Sequence, residues 1–157
     1  MRVMYENKND MVNSITGYTY SIFFSGCTHR CDGCFSEETW DYNNGYDKDI
    51  LDIKIDILKS RHKNISLLGG DPFYPKQRAE VLELITWVKD FTDKNIYVWT
   101  GYTVDKIVDW IDIEYIDYLI DGKFEKGKTQ HNLILRGSSN QRVFHKGVEV
   151  TEKMYAK

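Results

Sequence analysis

YTYSIFFSG, residues 18–26, is an aromatic and β-branched run that stops at a glycine. The design returns three times, as NISLLGG (64–70), NIYVWTG (95–101) and IDYLIDG (116–122). Short continuous apolar runs closed in this way suit strands buried on both faces of a parallel sheet. Helical stripes lie between them. Val81, Leu84, Ile85 and Val88 repeat at i, i+3, i+4, i+7 after Pro75. Val104, Ile107, Val108 and Ile111 do the same behind Thr103, a candidate N-cap. Residues 48–59 fit a helix through Ile50, Ile53 and Ile57, although Ile53, Ile55 and Ile57 also alternate. The length of that segment and its charged spacing favour the helix. The resulting β-α-β-α-β-α-β series predicts an α/β fold with a mainly parallel sheet and right-handed crossovers. Ligands of such sheets gather at the carboxyl ends of the strands. Four polar, glycine-containing loops fall at that edge.

At 157 residues the chain reads as a single domain, 1–157, too short for a complete eight-fold barrel. Four or five β/α units fit that length. Hydrophobic content of 41% and charged content of 29% are ordinary for a globular protein. A net charge of -3, with basic residues scattered, gives no electrostatic case for nucleic acid. The N-terminal MRVMYENKND has no apolar targeting core, and no run approaches the ~18 apolar residues of a membrane span. The expected setting is cytoplasmic. Thiols there stay reduced, and closely spaced cysteines bind metal or do chemistry more often than they crosslink.

SGCTHRCDGCF, residues 25–35, holds all three cysteines: Cys27, Cys31 and Cys34. Thiolates select zinc, copper(I) or iron–sulfur species. A structural zinc site would need a fourth ligand, with His29, His62, His131 and His145 as candidates. Such sites usually take paired ligands from two separated loops, and here there is one. A cubane iron–sulfur cluster normally takes four cysteines. Three would leave one iron open, and an open iron can bind a substrate.

The other loops are each ambiguous alone. LLGGDPFYP (67–75) ends a strand with Gly69 and Gly70, which permit close backbone approach or a tight strand-to-helix turn opened by Asp71 and Pro72. VWTGYT (98–103) sets a glycine beside Trp99 and Tyr102. LIDGKFE (119–125) places Asp121 and Lys123 two apart, on one side if the strand continues, or as a solvated pair at a turn. LRGSSNQRVF (135–144) is a donor-rich loop or polar hairpin before a last strand.

The CxxxCxxC spacing followed by Phe35, after a strand, resembles the signature of the radical S-adenosylmethionine superfamily. The ordered set CxxxCxxC, GGDP, WTGYT, DGKFE and RGSSNQR, over residues 17–144, closely resembles one subfamily, the activating proteins of anaerobic (class III) ribonucleoside-triphosphate reductase. The resemblance implies a partial (β/α) barrel with its cofactor site at the C-terminal ends of the strands. It implies one 4Fe–4S cluster on Cys27, Cys31 and Cys34 whose fourth iron chelates S-adenosylmethionine, leaving His29 without a role. Cofactor contacts are implied for Gly33, Cys34, Phe35, Gly69, Gly70, Asp71, Thr100, Asp121 and Lys123, with Gly69–Asp71 meeting the methionine amino group. Arg136, Ser138, Ser139, Asn140 and Arg142 are implied as loop or partner residues. The implied activity cleaves S-adenosylmethionine reductively and forms a glycyl radical on the large catalytic subunit of the reductase, which would close the open side of the barrel. A low-potential electron donor such as a flavodoxin is implied as well. Another radical S-adenosylmethionine enzyme, either a different glycyl-radical activase or a compact deazapurine synthase, is the nearer alternative. A non-catalytic zinc or iron–sulfur module is the more distant one.

Overall fold

The computed structural model describes residues 1–157. Its centre is four parallel strands in chain order, β2 (Thr19–Phe24), β4 (Asn64–Gly69), β5 (Asn95–Trp99) and β6 (Tyr118–Asp121). These are the four glycine-closed runs. Antiparallel wings extend both sides. On one side β1 (Arg2–Asp10) pairs with β2, and β3 (Tyr46–Asp47) with β1. On the other, β7 (Arg142–His145) pairs with β6, and β8 (Val148–Glu149) with β7. The eight-stranded order is β3-β1-β2-β4-β5-β6-β7-β8. Only three of its seven pairings are parallel, so the expected mainly parallel sheet is instead a mixed one with a parallel centre. No helix is long and apolar enough to cross a membrane.

Three crossovers join the central strands. Helix α1 (Ile50–Lys59) starts where the Asp49 carboxylate accepts from Leu51 N at 2.8 Å. Helix α2 (Arg78–Phe91) buries the predicted stripe Val81, Leu84, Ile85 and Val88. The third, α3 (Val104–Ile107), is a single turn, shorter than the stripe to Ile111 suggested. Val108 faces solvent, and the chain continues through a 3-10 turn at Ile113–Tyr115. Thr103 occupies the N-cap position but makes no capping bond; the carboxylate of Asp121 accepts from Val104 N instead, at 2.8 Å.

The central strands are buried on both faces, as expected, but the pleat gives the two faces different polarity. Tyr20, Ile22, Phe24, Ile65, Leu67, Ile96, Val98 and Leu119 face the helices and form one core with Ile53, Ile57, Val81, Leu84, Ile85 and Val88. Their neighbours Thr19, Ser21, Asn64 and Ser66 are buried too, but they are polar. The end of β1 and the segment that joins it to β2 satisfy them. Ser66 Oγ donates to Asn13 O at 2.6 Å, Asn64 Nδ2 to Thr16 O, and Ser21 Oγ to Asp10 Oδ2 at 2.6 Å, while Tyr97 Oη accepts from Ile15 N at 3.2 Å. Hydrogen bonding is what makes such polar burial tolerable. This plug fills the inner face at the strands' N-terminal ends and leaves the C-terminal ends open.

A charged cluster ties the wing to α1. Glu6 accepts from Tyr20, from Tyr46 Oη at 2.6 Å and from Lys48 Nζ at 2.7 Å, and Lys48 also reaches Asp56 at 2.5 Å. Burial alone would raise the Glu6 carboxyl, but hydrogen bonds from Lys48, Tyr20 and Tyr46 outweigh it and hold the group below its ordinary value. The Lys48 ammonium does the same to Asp56. Both carboxyls are therefore depressed in the fold. Their stabilisation is complete above about pH 4.5 and is lost as pH falls through the lowered native values. Lys48→Met is expected to cost roughly 1–3 kcal/mol at neutral pH. It should also flatten the loss of stability between about pH 5 and pH 3, as read by thermal melts across that range.

Candidate active site

A cavity of about 350 Å³ opens at the C-terminal ends of β2, β4, β5 and β6. Cys27, Cys31 and Cys34 line one wall, and Gly69, Gly70, Asp71, Thr100 and Gly101 line another. Phe23, Leu68 and Trp99, the last inner-face residues of their strands, form its floor. Parallel register makes this convergence: Phe24 stands beside Gly69 and Leu67 beside Val98, so successive strand ends reach one edge.

The cysteine loop leaves β2 through Gly26, whose φ of +102° and contact with the Tyr74 ring, 2.7 Å from a Cβ built there, admit only glycine. Arg30 and Gly33 also take positive φ, 52° and 74°, so the loop reverses twice and carries its thiols back over the strand ends. All three cysteines are free and half-buried. Burial pushes the Cys27 thiol up to about 11, with hydrogen bonds from the His29 and Arg30 amides opposing it and the Asp71 charge adding to it. The raised value favours the protonated thiol, so this contribution to stability holds below about pH 9 and is lost as pH rises through about 11. In the reduced, cluster-free protein, alkylation of Cys27 by iodoacetamide at pH 8 is expected to lag an ordinary thiol by on the order of tenfold, the smaller thiolate fraction being partly offset by its greater nucleophilicity, read by peptide mass spectrometry.

No group of three or more His, Cys, Asp and Glu side chains closes around a single ion. The candidate fourth ligands are elsewhere or engaged. His29 lines the cavity but is engaged by Asp71 at 2.6 Å, His62 meets Asn9 Oδ1 at 2.8 Å, His145 stacks on Tyr118 at 4.4 Å, and His131 is on the surface. Three soft donors on one wall of a cavity far larger than an ion fit a cluster with an open coordination position better than a closed zinc site.

Gly69 (φ +109°) and Gly70 seat the cysteine loop itself. Gly70 N donates to Phe24 O and Asp71 N to Gly26 O, both at 2.8 Å. A Cβ on Gly70 would stand 2.6 Å from Gly26 O. The Asp71 carboxylate is 1% exposed and fully engaged. It accepts from Phe73 N, Thr100 Oγ1 and Gly101 N, each at 2.9 Å, and from His29 Nε2 at 2.6 Å. Thr100 thus sits in the cavity wall bound to Asp71.

The remaining sequence candidates fall into two groups. Gly33 packs against the Lys126 side chain, and Phe35, 81% exposed, leans on Phe124 at 5.3 Å where the cavity opens. Asp121 and Lys123 do not share a side: β6 ends at Asp121, and Gly122 turns the chain at φ +97°. Asp121 is buried against Arg142, with contacts of 3.1 and 2.6 Å, and Lys123 points to solvent; Gly122, not either neighbour, lines the cavity. In the RGSSNQR loop most donors are used internally. Arg136 donates to Met154 O at 2.6 Å, Ser138 Oγ accepts from Glu125 N at 3.0 Å, and Ser139 N donates to Lys128 O at 2.8 Å. Asn140 Nδ2 donates to Lys123 O, and Gln141 bonds Gly137, Ser138 and Gly122, so that Gly137 and Gln141 reach the cavity. His29, Trp40, Phe124 and Gln141 were not assigned site roles from sequence, yet all four line it.

Residues 15–144 match the model of a 4Fe-4S single cluster domain. The chain is 38% identical over 139 residues to the anaerobic ribonucleoside-triphosphate reductase-activating protein of Enterobacteria phage T4, covering 86% of this chain and 88% of the relative. It is 40% identical over 147 residues to the protein of that name from Vibrio cholerae (87% and 92% covered). To that of Escherichia coli K12 it is 38% identical over 144 residues (87% and 93%).

Proposed function

The chain belongs to the family of anaerobic ribonucleoside-triphosphate reductase-activating proteins, and on that premise we propose that its cavity is the radical-generating site for that reductase. When bound, the 4Fe–4S cluster and S-adenosylmethionine supply reductive cleavage of the cofactor and the 5′-deoxyadenosyl radical that takes a hydrogen atom from a glycine Cα of the partner. The observation that carries the reading is the incomplete ligand set: three cysteines line the cavity, the chain has no fourth, and His29, which lines it with them, is taken up by Asp71.

The chain's own part is binding, orientation and exclusion of water. Cys27, Cys31 and Cys34 hold the cluster. The backbone of Gly69–Asp71 and Thr100 forms the opposite wall and receives the methionine end of the cofactor. Phe23, Leu68 and Trp99 give a dry floor, which limits side reactions of a primary radical. Asp121 acts through its hold on α3 and β7, and Arg136, Ser138, Ser139, Asn140 and Arg142 shape the wall that carries Gly137 and Gln141. The open sheet, with all its helices on one face and the cavity on the other, is a partial (β/α) barrel whose missing wall is the large catalytic subunit. The reductant is a low-potential donor of flavodoxin type, in keeping with a cytoplasmic setting. After anaerobic reconstitution the protein should carry about four irons per chain and release methionine and 5′-deoxyadenosine when reduced. One zinc per chain and no cleavage would overturn the reading.

A further inference from the structure

His29 stands between the first two cysteines, where a histidine reads as a spare ligand or a plain loop residue. Its surroundings point elsewhere. The side chain is 7% exposed, and its Nε2 lies 2.6 Å from Asp71 Oδ2. A carboxylate can only accept, so Nε2 carries the hydrogen and donates. The same carboxylate takes Thr100 Oγ1 and Gly101 N at 2.9 Å, so one anion joins the ends of β4 and β5 to the cysteine loop. The imidazole is boxed in: Tyr102 meets it edge-on at 4.6 Å, and a Cβ on Gly101 would stand 2.4 Å from its Cδ2. Gly101 is the residue that lets the ring lie where Asp71 can hold it.

We propose that His29 is a positioning residue, which clasps the cysteine loop to the β4 and β5 ends through Asp71. The clasp fixes where the three thiols stand relative to Gly69–Asp71 and Thr100. Its consequence for Asp71 is direct. With five contacts from four donors, the carboxylate has no free acceptor position for an incoming ammonium group. The Asp71 side chain therefore serves the protein, joining the β4 and β5 ends to the cysteine loop. The hydrogen-bond clasp is built from the chain's own groups, while its role in cofactor geometry rests on the reading above.

The test uses the full chain with His29→Leu, which removes the donor; His29→Gln, whose amide Nε2 restores it at similar reach; and Gly101→Ala, which displaces the ring without touching a ligand. In cluster-free protein, hydrogen exchange of amides 27–34 should speed up about tenfold in His29→Leu and Gly101→Ala and return to wild-type rates in His29→Gln. In reconstituted protein, the change that S-adenosylmethionine makes in the EPR spectrum of the reduced cluster should need about tenfold more cofactor in the first two variants only. Wild-type exchange in both His29→Leu and Gly101→Ala would overturn the clasp, as would a His29→Gln protein as loose as His29→Leu. If His29→Leu fails to fold, Gly101→Ala decides alone. Failure of the wild-type chain to take up iron would remove the functional reading but leave the exchange result to judge the clasp.

Discussion

Cys31→Ala protein is expected to fold as the parent does, yet to hold no four-iron cluster and to cleave no S-adenosylmethionine. Cys31 is half-buried on a loop, and its structural contribution is a backbone carbonyl that accepts from Cys34 N at 3.2 Å, which alanine keeps. The change in folding free energy should stay within about 0.5 kcal/mol. Ligation is another matter. A cluster with one open iron already depends on three thiolates, and the chain has no fourth cysteine to substitute. Iron analysis, the absorbance of the reconstituted protein and 5′-deoxyadenosine formation should therefore fall together to background. A variant that still cleaves the cofactor would remove Cys31 from the ligand set and with it the reading of this loop.

Gly69→Ala should produce the opposite pattern, a large loss of stability before any chemistry is tested. Gly69 ends β4 at φ +109°, where a side chain costs roughly 1–2 kcal/mol in backbone strain. Its Cβ would stand 2.5 Å from Phe24 N and 2.7 Å from Phe24 O, on the backbone of the neighbouring strand. Backbone cannot rotate away as a side chain can, so about 1–3 kcal/mol more is expected from overpacking. A total of about 2–5 kcal/mol corresponds to a melting temperature lower by on the order of 10 °C for a chain of this size. Denaturant and thermal unfolding of the cluster-free protein measure it. An unchanged midpoint would mean that the β2–β4 junction is less tightly built than its contacts indicate.

The central strands were legible because each is an apolar run that stops at a sharp turn, and in a parallel sheet successive turns meet at one edge. The wings were not. β1 ends in the polar stretch NKND and keeps much of its length exposed, while β3 and β8 have two residues each, too few for any periodicity to register. One signal was present and unread: Thr19 and Ser21 alternate with Tyr20 and Ile22, and Asn64 and Ser66 with Ile65 and Leu67. That period of two marks a polar inner face, which the plug from residues 13–16 satisfies.

At the site, spacing located the three cysteines and glycine pairing located the opposite wall, but the purpose of each glycine was only partly visible. Gly70 makes room for Gly26 and Thr39 of the chain itself, a contact between segments distant in sequence. Asp121 and Lys123 stayed ambiguous in sequence because a D-x-K pair shares a side only while the strand runs on, and Gly122 ends it. His29 escaped for the same kind of reason. Its partner, Asp71, lies 42 positions away and is brought near only by the parallel pairing of β2 with β4.

The most direct test of the account is to combine the reconstituted, reduced protein with S-adenosylmethionine and the large subunit of the anaerobic reductase, and to record the EPR spectrum. A doublet from a glycyl radical on the large subunit, absent when Cys31→Ala protein is used, is the predicted result. Cleavage of S-adenosylmethionine with no doublet on that partner would contradict it.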